Sequence, residues 1–281
     1  MSLRVTNPVD ARDDAAVWHQ WYPIGTAEDI RRHNRNQTRL LGMTLELTMQ
    51  ESGIVVHCEG RALPVKEHIG YIWTTLGEPD TPAPPLPEYD ETDRISMNVW
   101  STPLKCSGLR IIDNVVDNGH FPFVHPGILG DQDHLELDSS SPLVDEHGTL
   151  WSRSQKAWLP ITNSDAEYTY RIPSPYSVIL YIHRPDTPDR HDILGVFAQP
   201  VSEESFIAHK LLVWIEEDWM EPKQLRSDQQ WISVQDKYVL ERHTVKKLPL
   251  NESETSASAD TTSIAYRQWL RDNDVRYGAI R

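Results

Sequence analysis

One segment determines how this chain is interpreted: residues 113–126, Asp113-Asn114-Val115-Val116-Asp117-Asn118-Gly119-His120-Phe121-Pro122-Phe123-Val124-His125-Pro126. It packs acidic, amide and imidazole side chains among apolar residues. If the segment begins as a helix, four of its polar residues recur at three- and four-residue steps and share one face: Asp113, Asn114, Asp117 and His120. The spacing therefore predicts a polar cluster along one side of a helix.

Two histidines of this segment, His120 and His125, are candidate metal ligands. They lie five residues apart, and a wide turn favoured by Gly119 and Pro122 would bring their rings together. Two neutral imidazoles that converge beside carboxylates have the ligand chemistry of a transition-metal site. Among the 12 histidines of the chain, a pair with this spacing is expected roughly half a time by chance. Two histidines that only cap a helix end are therefore the alternative.

A metal ion held by two histidines needs a further ligand, and one carboxylate is the usual partner in iron sites that activate oxygen. Asp236 is the candidate, because residues 231–241 have a helical period in which it shares a face with Ile232, Val239 and Leu240. An ionised carboxylate on an apolar face is costly unless it has a partner, and a metal ion is one such partner. The alternative is an aspartate that pairs with a nearby arginine or lysine.

Composition and charge exclude several classes of protein. The formal net charge is −15 at pH 7, which argues against a nucleic-acid or anionic-membrane surface. The ten tryptophans and ten tyrosines supply large apolar side chains, so a folded chain is expected. Residues 1–14 lack the apolar core of a signal peptide, and no run approaches the length of a membrane span. The two cysteines, Cys58 and Cys106, require no disulfide framework, so a cytoplasmic protein is expected.

The order of strands and helices predicts an α+β fold with two domains. A proline-rich connector at residues 81–88 separates residues 1–85 from residues 86–281. Helical periods appear late, at 227–243 and 262–273, after many strands, and this layout is typical of an antiparallel sheet with helices on one face. A solvated loop is expected at 250–263. The predicted strands are 38–42, 45–48, 54–58, a strand pair at 65–76, then 95–100, 150–161, 168–172, 177–183 and 206–215.

These residues resemble the motifs of a known family. Asn114-x-x-Asp117-x-x-His120-x-x-x-x-His125 resembles the mononuclear iron motif of the Rieske-type aromatic-ring oxygenases. Residues 235–241 resemble the family segment that carries the third iron ligand, and residues 18–25 and 70–77 resemble the first and last strands of a Rieske domain. The resemblance covers most of the chain. It implies a truncated Rieske-like β domain, followed by a helix-grip catalytic domain of the START or Bet v 1 type with an antiparallel sheet.

The first domain departs from the family at the cluster ligands. A Rieske [2Fe-2S] centre needs two cysteines and two histidines, in a C-x-H and a C-x-x-H pair. Neither spacing exists here, because Cys58 is followed by Glu59-Gly60-Arg61. We therefore expect a Rieske fold without its cluster-binding hairpins, no [2Fe-2S] cluster in this chain, and a buried strand thiol at Cys58.

The resemblance implies a mononuclear Fe(II) ion with His120, His125 and Asp236 as ligands and an open face for O₂. It also implies that Asp117 bridges an iron-ligand histidine and a cluster ligand on a neighbouring subunit, and so carries the electron path. Asn114 matches the asparagine of the motif. Asp117 and Asn114 are therefore the candidate catalytic residues.

The missing cluster implies that a partner completes the electron path. The resemblance implies a reductase that bears the Rieske cluster and passes on electrons derived from NAD(P)H, further oxygenase subunits or a structural protein, and a trimer-like oligomer. Within the family, the similarity is greatest to the branch that removes N-methyl groups from methylxanthines in bacterial caffeine catabolism. That branch implies hydroxylation of an N-methyl carbon, and the expected reaction converts 7-methylxanthine to xanthine and formaldehyde.

Four residues are candidates for an apolar substrate pocket, although each is also a common core residue: Phe121, Val124, Leu212 and Trp214. Two other functions stay open. A non-catalytic structural subunit of an oxygenase complex would keep the fold without turnover. A metal hydrolase with His/His/Asp ligands would be active without O₂ or a reductant, so metal analysis coupled to turnover separates it from an oxygenase.

Overall fold

The structure is a computed structural model that describes residues 8–135, 140–160, 164–184, 187–217, 221–251, 254 and 260–281. The helices are α1 Ala15–Trp18, α2 Ala27–Arg32, α3 Gly108–Val115, α4 Phe121–Val124, α5 Pro222–Leu240 and α6 Thr261–Asp272. The strands are β1 Tyr22–Thr26, β2 Gln37–Leu40, β3 Met43–Gln50, β4 Gly53–Cys58, β5 Arg61–Ala62, β6 Val65–His68, β7 Tyr71–Thr74, β8 Arg94–Leu104, β9 Leu143–Val144, β10 Leu150–Leu159, β11 Ser164–Ser174, β12 Ser177–Arg184, β13 Thr187–Ser202, β14 Ser205–Ile215, β15 Leu248–Pro249 and β16 Ala279–Ile280.

The N-terminal strands form two small antiparallel sheets, with strand orders β1-β7-β6 and β2-β3-β4-β5. Their hairpins are tight, since only Glu51 and Ser52 join β3 to β4, and only Glu59 and Gly60 join β4 to β5. Glu59 and Gly60 have φ values of 50° and 77°, the left-handed backbone that a two-residue hairpin turn requires. Cys58, directly before this turn, is a free and buried strand thiol, as the sequence predicts.

A seven-stranded antiparallel sheet forms the larger part of the fold, in the order β8-β14-β13-β12-β11-β10-β9. From β10 to β14 each strand pairs with the next along the chain, and β8 closes the series by pairing with β14. The five strands predicted after the proline-rich connector are all present in the described residues. The sequence does not predict β13, because two prolines, a glycine and several charged residues interrupt its apolar pattern.

Alternation along β11 defines the inner face of this sheet. Buried residues alternate with partly exposed ones along the strand, as in a strand with one face in the core. Tyr168, Tyr170 and Ile172 belong to the main core, to which α3 contributes the fully buried Leu109 and Ile112. Burying a leucine or isoleucine stabilises a fold by about 1.5–3 kcal/mol, so α3, whose last turn begins the segment 113–126, is held firmly against the sheet.

A second apolar cluster joins the N-terminal strands to β13 and β14. Tyr71 and Trp73 of β7 pack against Phe197 of β13, and the rings of Trp73 and Phe197 lie 5.1 Å apart at an angle of 74°. The core therefore continues past the proline-rich connector. The division into residues 1–85 and 86–281 remains a proposal.

A buried hydrogen-bond network crosses the same interface. His209 of β14 lies between the Ser101 hydroxyl, 2.9 Å from its Nδ1, and Oε1 of Gln199, 3.0 Å from its Nε2. The Gln199 amide donates in turn to the hydroxyl of Thr38 on β2. Burial, assisted by the charge of Arg35, lowers the pKa of His209 to about 3, so the ring is neutral in the folded protein.

α5 is the longest helix and lies along β8 at the edge of the large sheet. Its side chains at Ile232 and Leu240 are buried, as predicted, but Val239 is 38% exposed. Other positions bond the backbone of the strand. Two such bonds come from the helix itself: Gln230 Nε2 donates to the Val99 carbonyl at 3.0 Å, and Lys237 donates to the Pro103 carbonyl. Directly after the helix, Glu241 accepts at 3.0 Å from the N–H of Lys105, the residue that follows β8. The helix register, and with it the position of Asp236, is set by these bonds.

The loop expected at residues 250–263 is only partly described, because 252–253 and 255–259 lie outside the described residues. Its expected solvation is wrong at the C-terminal end, where Thr262 and Ser263 are buried in α6. Both hydroxyls have polar partners in the interior, Ser152 for Thr262 and Asp113 for Ser263. Hydroxyl side chains at the start of α6 can therefore be buried at little cost.

The architecture is α+β with antiparallel sheets, and the long helix α5 lies against the larger sheet as in a helix-grip fold. The predicted fold class is therefore confirmed. Within the described residues, no helix combines the length and the apolar character that a transmembrane segment needs.

Candidate metal centre

The turn between α3 and α4 carries both candidate histidines. α3 ends before Asp117, and a 3₁₀ turn, Asn118–His120, follows. Asp117 caps this turn by accepting a 2.8 Å hydrogen bond from the Gly119 N–H. α4 begins directly after that turn, so His120 and His125 flank it. The two ring centroids lie 5.2 Å apart. The structure thus brings the two rings together, as their spacing predicts.

The prediction of one continuous helical face is wrong. Asp117 has extended backbone angles, φ −98° and ψ 102°, so the face ends with α3. Asp113 points to α6 instead, where its carboxylate lies 2.6 Å from the guanidinium of Arg267 and accepts a hydrogen bond from the Ser263 hydroxyl. The helix breaks because Asp117 uses its side chain to cap the next turn, a role that requires a non-helical backbone.

Asp236 of α5 completes a group of three candidate ligands. Its Oδ1 lies 3.0 Å from Nε2 of His125 and 3.5 Å from Nε2 of His120. The three donor atoms all lie within 4.8 Å of one another, and no other such group of His, Cys, Asp or Glu side chains occurs among the described residues. Both histidines present the same nitrogen to one carboxylate oxygen, an arrangement that fits one face of a metal ion.

The group lies in the interior, where burial and charge act against each other. Burial lowers the pKa of His120, but the carboxylates of Asp117 and Asp236 outweigh it and raise that pKa to about 9. Burial also raises the pKa of Asp236, but its contacts with the rings of His120 and His125 hold that pKa well below its ordinary value. The carboxylate therefore stays ionised and can serve as a ligand of a cation.

His125 is held between two consecutive residues of α5. Its Nδ1 lies 2.8 Å from Oε1 of Gln235, and its Nε2 lies 3.0 Å from the Asp236 carboxylate. Both partners are oxygen acceptors, whereas a neutral imidazole carries only one N–H. When that N–H donates to Gln235, a lone pair on Nε2 faces the carboxylate, and a cation between them makes the contact favourable. A donor set of two imidazoles and one carboxylate suits Fe(II) in this position.

Two residues of the motif border His120. Oδ2 of Asp117 lies 3.7 Å from its Nδ1, an ion-pair distance, and 30% of the Asp117 side chain is exposed. Nδ2 of Asn114 lies 3.4 Å from its Nε2. Asp117 therefore extends from the buried ring toward the surface, while Asn114 borders the nitrogen that faces Asp236.

The candidate pocket residues lie in two places. Phe121 is buried beside the triad of His120, His125 and Asp236, with its ring centroid 5.0 Å from that of His120. Val124 is partly buried at the other end of α4. Leu212 and Trp214 belong to a separate apolar cluster between β8, β14 and the first turns of α5. Of the four, Phe121 contacts the rings of both His120 and His125.

Lys210 of β14 is a buried cation beneath α5 that the sequence analysis does not identify. Its ammonium group donates to the Gln229 carbonyl and to the Ser233 hydroxyl, both at 3.2 Å. Burial lowers its pKa to about 8, an effect that the charge of Asp236 opposes. Neither Lys210 nor Gln235 has a distinctive spacing in the sequence, because each reaches the site only through tertiary packing.

Comparisons with known proteins give this arrangement a family. The family described as vanillate O-demethylase oxygenase C-terminal domain matches residues 104–273, a range that includes the three candidate ligands. The chain is 33% identical to the probable methylxanthine N7-demethylase NdmC of Pseudomonas sp. (strain TJI-51), over 96% of this chain and 99% of that protein. It is 26% identical to the methylxanthine N3-demethylase NdmB of Pseudomonas putida, over 68% of this chain and 54% of NdmB.

Solved structures have the same fold. NdmB of Pseudomonas putida CBB5 matches with a TM-score of 0.76 at 21% identity, over 91% of this chain and 90% of that chain. NdmA of the same strain with caffeine matches with a TM-score of 0.78 at 17% identity, over 94% and 92%. Dicamba monooxygenase bound to 3,6-dichlorosalicylic acid gives 0.71 at 16% identity, over 92% and 97%. With the family match and the relative of 33% identity, the chain belongs to the Rieske-type non-heme iron oxygenases that carry the vanillate O-demethylase oxygenase C-terminal domain, and it is an oxidoreductase of that family.

Proposed function

We propose that this protein is the iron-binding component of a methylxanthine N-demethylase, with His120, His125 and Asp236 as the ligands of a mononuclear Fe(II) ion. The observation that carries the proposal is the convergence of both Nε2 atoms on one carboxylate oxygen, at 3.5 and 3.0 Å. The relative of 33% identity is described as a probable methylxanthine N7-demethylase. 7-Methylxanthine is therefore the proposed substrate.

Oxidative removal of an N-methyl group begins with hydroxylation of the methyl carbon. One oxygen atom of O₂ enters a C–H bond, the other leaves as water, and two electrons with two protons balance the step. The carbinolamine then loses formaldehyde as its C–N bond breaks, and the ring nitrogen takes up a proton. Bound Fe(II) supplies the activation of O₂.

In this proposal, the residues around the triad hold both imidazoles with Nε2 toward the iron site. Apolar side chains beside the triad place the methyl group next to that site. The proposed apolar contacts to the substrate are Phe121 and Val124, which lie on α4 between the two histidines. Leu212 and Trp214 belong to the separate cluster at the start of α5 and are not part of this contact. Asn114, next to Nε2 of His120, is proposed to act in catalysis at the triad.

The electrons are proposed to come from a Rieske cluster on a partner reductase that oxidises NAD(P)H. The cysteines of this chain support an external cluster, because a Rieske centre needs a C-x-H and a C-x-x-H pair. Cys58 is followed by Glu59-Gly60-Arg61 and Cys106 by Ser107-Gly108-Leu109, so neither has the required spacing. Asp117 is the proposed entry point, since it contacts the His120 ring and is partly exposed. Further oxygenase subunits in a trimer-like assembly belong to the same proposal.

The test is turnover of the iron-loaded chain with 7-methylxanthine, a reductase that bears a Rieske cluster, NADH and O₂. Before the reductase is added, we expect about one iron per chain and no [2Fe-2S] signal. Xanthine and formaldehyde should form in equal amounts, and omission of O₂ or of the reductase should abolish both. Product without O₂ and reductant would indicate a hydrolase, and bound iron without turnover of any methylxanthine would indicate a structural subunit. Either outcome contradicts the proposal.

Substitution of the ligands provides the controls. His120→Ala, His125→Ala and Asp236→Ala should each lose iron and turnover, because the two remaining ligands hold Fe(II) weakly. His134→Ala is a matched histidine control that should keep both, since His134 stacks on Trp158 with ring centroids 4.4 Å apart and does not belong to the group of candidate ligands. Full iron and full activity in Asp236→Ala would mean that the third ligand is another residue.

A further inference from the structure

Two amide side chains near the triad have buried polar atoms without partners. Gln155 of β10 is 1% exposed and Asn118 of the 3₁₀ turn is 0% exposed. Within the described part of the chain, neither Oε1 of Gln155 nor Nδ2 of Asn118 has a hydrogen-bond partner. A buried amide group left unpaired destabilises a fold, so such an atom in a native protein needs an explanation. A bound molecule with complementary groups provides one.

Both amides lie around one aromatic surface. Gln155 pairs directly with Tyr168 on β11, so the two side chains project from the same, inner face of the sheet. The ring of Tyr168 lies 6.1 Å from that of Phe121, which packs against the triad. Tyr170 stacks on Tyr168 at 6.4 Å and donates its hydroxyl to Oδ1 of Asn118. The two amides therefore border the same group of aromatic rings, and this group reaches the triad through Phe121.

The charge of this surface restricts what it can bind. Burial raises the pKa of both Tyr168 and Tyr170, so their hydroxyls are neutral, and the two amides carry no charge. Aromatic rings with a few placed amide groups suit a planar, uncharged heteroaromatic molecule rather than an ion.

We propose that Oε1 of Gln155 and Nδ2 of Asn118 bind the lactam edge of the substrate, the oxygen accepting from a ring N–H and the amide donating to a ring carbonyl. This inference rests on the proposed function and assigns residues that select among its substrates. A xanthine presents N–H and C=O groups side by side on its six-membered ring. An additional methyl group on the nitrogen that faces Gln155 removes the N–H donor and leaves the amide oxygen unpaired. A methylxanthine that carries this second methyl group is therefore bound more weakly.

The experiment measures binding of 7-methylxanthine, and of the same ring with a second methyl group at N1 or at N3, to the iron-loaded protein. Calorimetry without O₂ or reductase keeps chemistry out of the measurement. Gln155→Met removes the acceptor at nearly constant shape, and Asn118→Asp keeps the oxygen that accepts from Tyr170 while removing the donor. Each variant should bind 7-methylxanthine about tenfold or more weakly, and Gln155→Met should lose the discrimination against one of the two dimethylated rings.

Two controls keep the result specific. Gln224→Met changes a surface amide of α5 that bonds Asp228, and it should bind all three rings as the wild type does. Iron content and the unfolding midpoint of each variant report whether the fold and the triad are intact. If Asn118→Asp does not fold, the comparison of Gln155→Met with the wild type decides alone.

Three outcomes would overturn the inference. Wild-type affinity in Gln155→Met would mean that solvent satisfies the amide. An equal loss of affinity for all three rings would mean that Gln155 does not read the N–H. If the wild type holds iron but binds none of the three rings, the proposed function fails and this inference fails with it, whereas the first two outcomes leave the proposed function intact.

Discussion

The orientation of one imidazole decides whether this site can hold a metal ion. His125 offers Nε2 as a ligand only when its N–H is on Nδ1, since a neutral imidazole has a single N–H. The amide oxygen of Gln235, 2.8 Å from Nδ1, selects that form of the ring. Gln235 is adjacent to Asp236 in α5, so one short piece of helix provides a ligand and also orients a second one.

Gln235→Met removes the acceptor and keeps the length of the side chain, so the affinity for iron should fall about 10- to 100-fold. Gln235→Glu keeps an acceptor at the same place and should hold iron at least as tightly as the wild type. Competition with a chelator measures both affinities, and the absorption spectrum of the Co(II) form reports the geometry. Equal affinities of the wild type and the methionine variant would contradict this role of Gln235.

Asp117→Asn tests the proposed entry of electrons. Asparagine keeps the shape and the oxygen that accepts from Gly119, but it removes the negative charge beside His120. Iron should stay bound, whereas turnover driven by the reductase should fall steeply because the path from an external cluster is disturbed. Iron content and the steady-state rate of formaldehyde release measure the two effects. An unchanged rate would mean that electrons enter elsewhere.

Single residues differ in how well the sequence alone identifies them. His120, His125 and Asp236 can be proposed, because the string from Asn114 to His125 resembles the iron motif of the family and because a carboxylate on an apolar helix face needs a partner. Gln235 cannot be selected, since an amide on a helix is ordinary until the fold places an imidazole against it. The same holds for Gln155, whose unpaired oxygen becomes evident only when its strand is paired.

At the scale of elements, a buried ion network joins α3 to α6. Asp113 lies 2.6 Å from the guanidinium of Arg267, which also lies 3.0 Å from Glu254. Glu254 is in turn 2.9 Å from Arg110 of α3. The network holds the end of α3, and therefore the start of the turn that carries both histidines. The sequence predicts the two helices but not this network. The spacing of Asp113 fits a shared face with Asn114, Asp117 and His120 equally well.

Asp113→Asn should lower the free energy of unfolding by about 3 kcal/mol, because it leaves a partly buried arginine without its nearest carboxylate. Removing one partner of a buried ion pair costs about 3–5 kcal/mol. Because Glu254 remains as a second partner of Arg267, we expect the loss to lie at the low end of that range. Asp274→Asn is the matched control, since Asp274 forms an exposed ion pair with Arg281 and its positive φ of 56° is also tolerated by asparagine. Urea unfolding measures the free energy of unfolding of both variants. Similar small losses in the two variants would contradict the importance of the network.

At the scale of the whole molecule, the interface between the N-terminal strands and the large sheet contains a group that makes stability depend on pH. The pKa of His209 is about 3 in the folded protein, below the ordinary value near 6.5 of an unfolded chain. Between these values the unfolded chain binds a proton that the folded chain does not. The stability linked to His209 is therefore complete above about pH 6.5 and is lost as the pH falls toward 3. The sequence predicts the α+β class, but this interface depends on packing between distant segments.

His209→Gln keeps one donor and one acceptor but removes the titrating ring, so its stability should fall less steeply with acid. The difference should approach about 1.4 kcal/mol per pH unit between pH 4 and 6. Urea unfolding of the metal-free wild type and variant at several pH values measures the two slopes, with the triad identical in both. Parallel slopes would mean that His209 is protonated in the folded protein as readily as in the unfolded chain.

The contacts between α5 and β8 also bear on how the protein behaves when it is concentrated. β8 is an edge strand of the seven-stranded sheet, and an uncovered edge is a template to which a strand of another molecule can be added. Side chains of α5 and the residue after it occupy the backbone groups of Val99, Pro103 and Lys105 along this edge. The chain is thereby protected against edge-to-edge aggregation at the place where its sheet ends.

Removing the three covering side chains together should therefore lower solubility more than it lowers iron content: Gln230→Ala, Lys237→Ala and Glu241→Ala. Light scattering at increasing protein concentration measures the onset of aggregation, and iron analysis of the soluble fraction shows whether Asp236 is still in place. An unchanged onset would mean that the body of the helix, rather than its polar side chains, protects the edge. The helix that supplies the carboxylate of the candidate metal centre thus also limits self-association, so a change that loosens α5 for altered activity will tend to give a protein that aggregates.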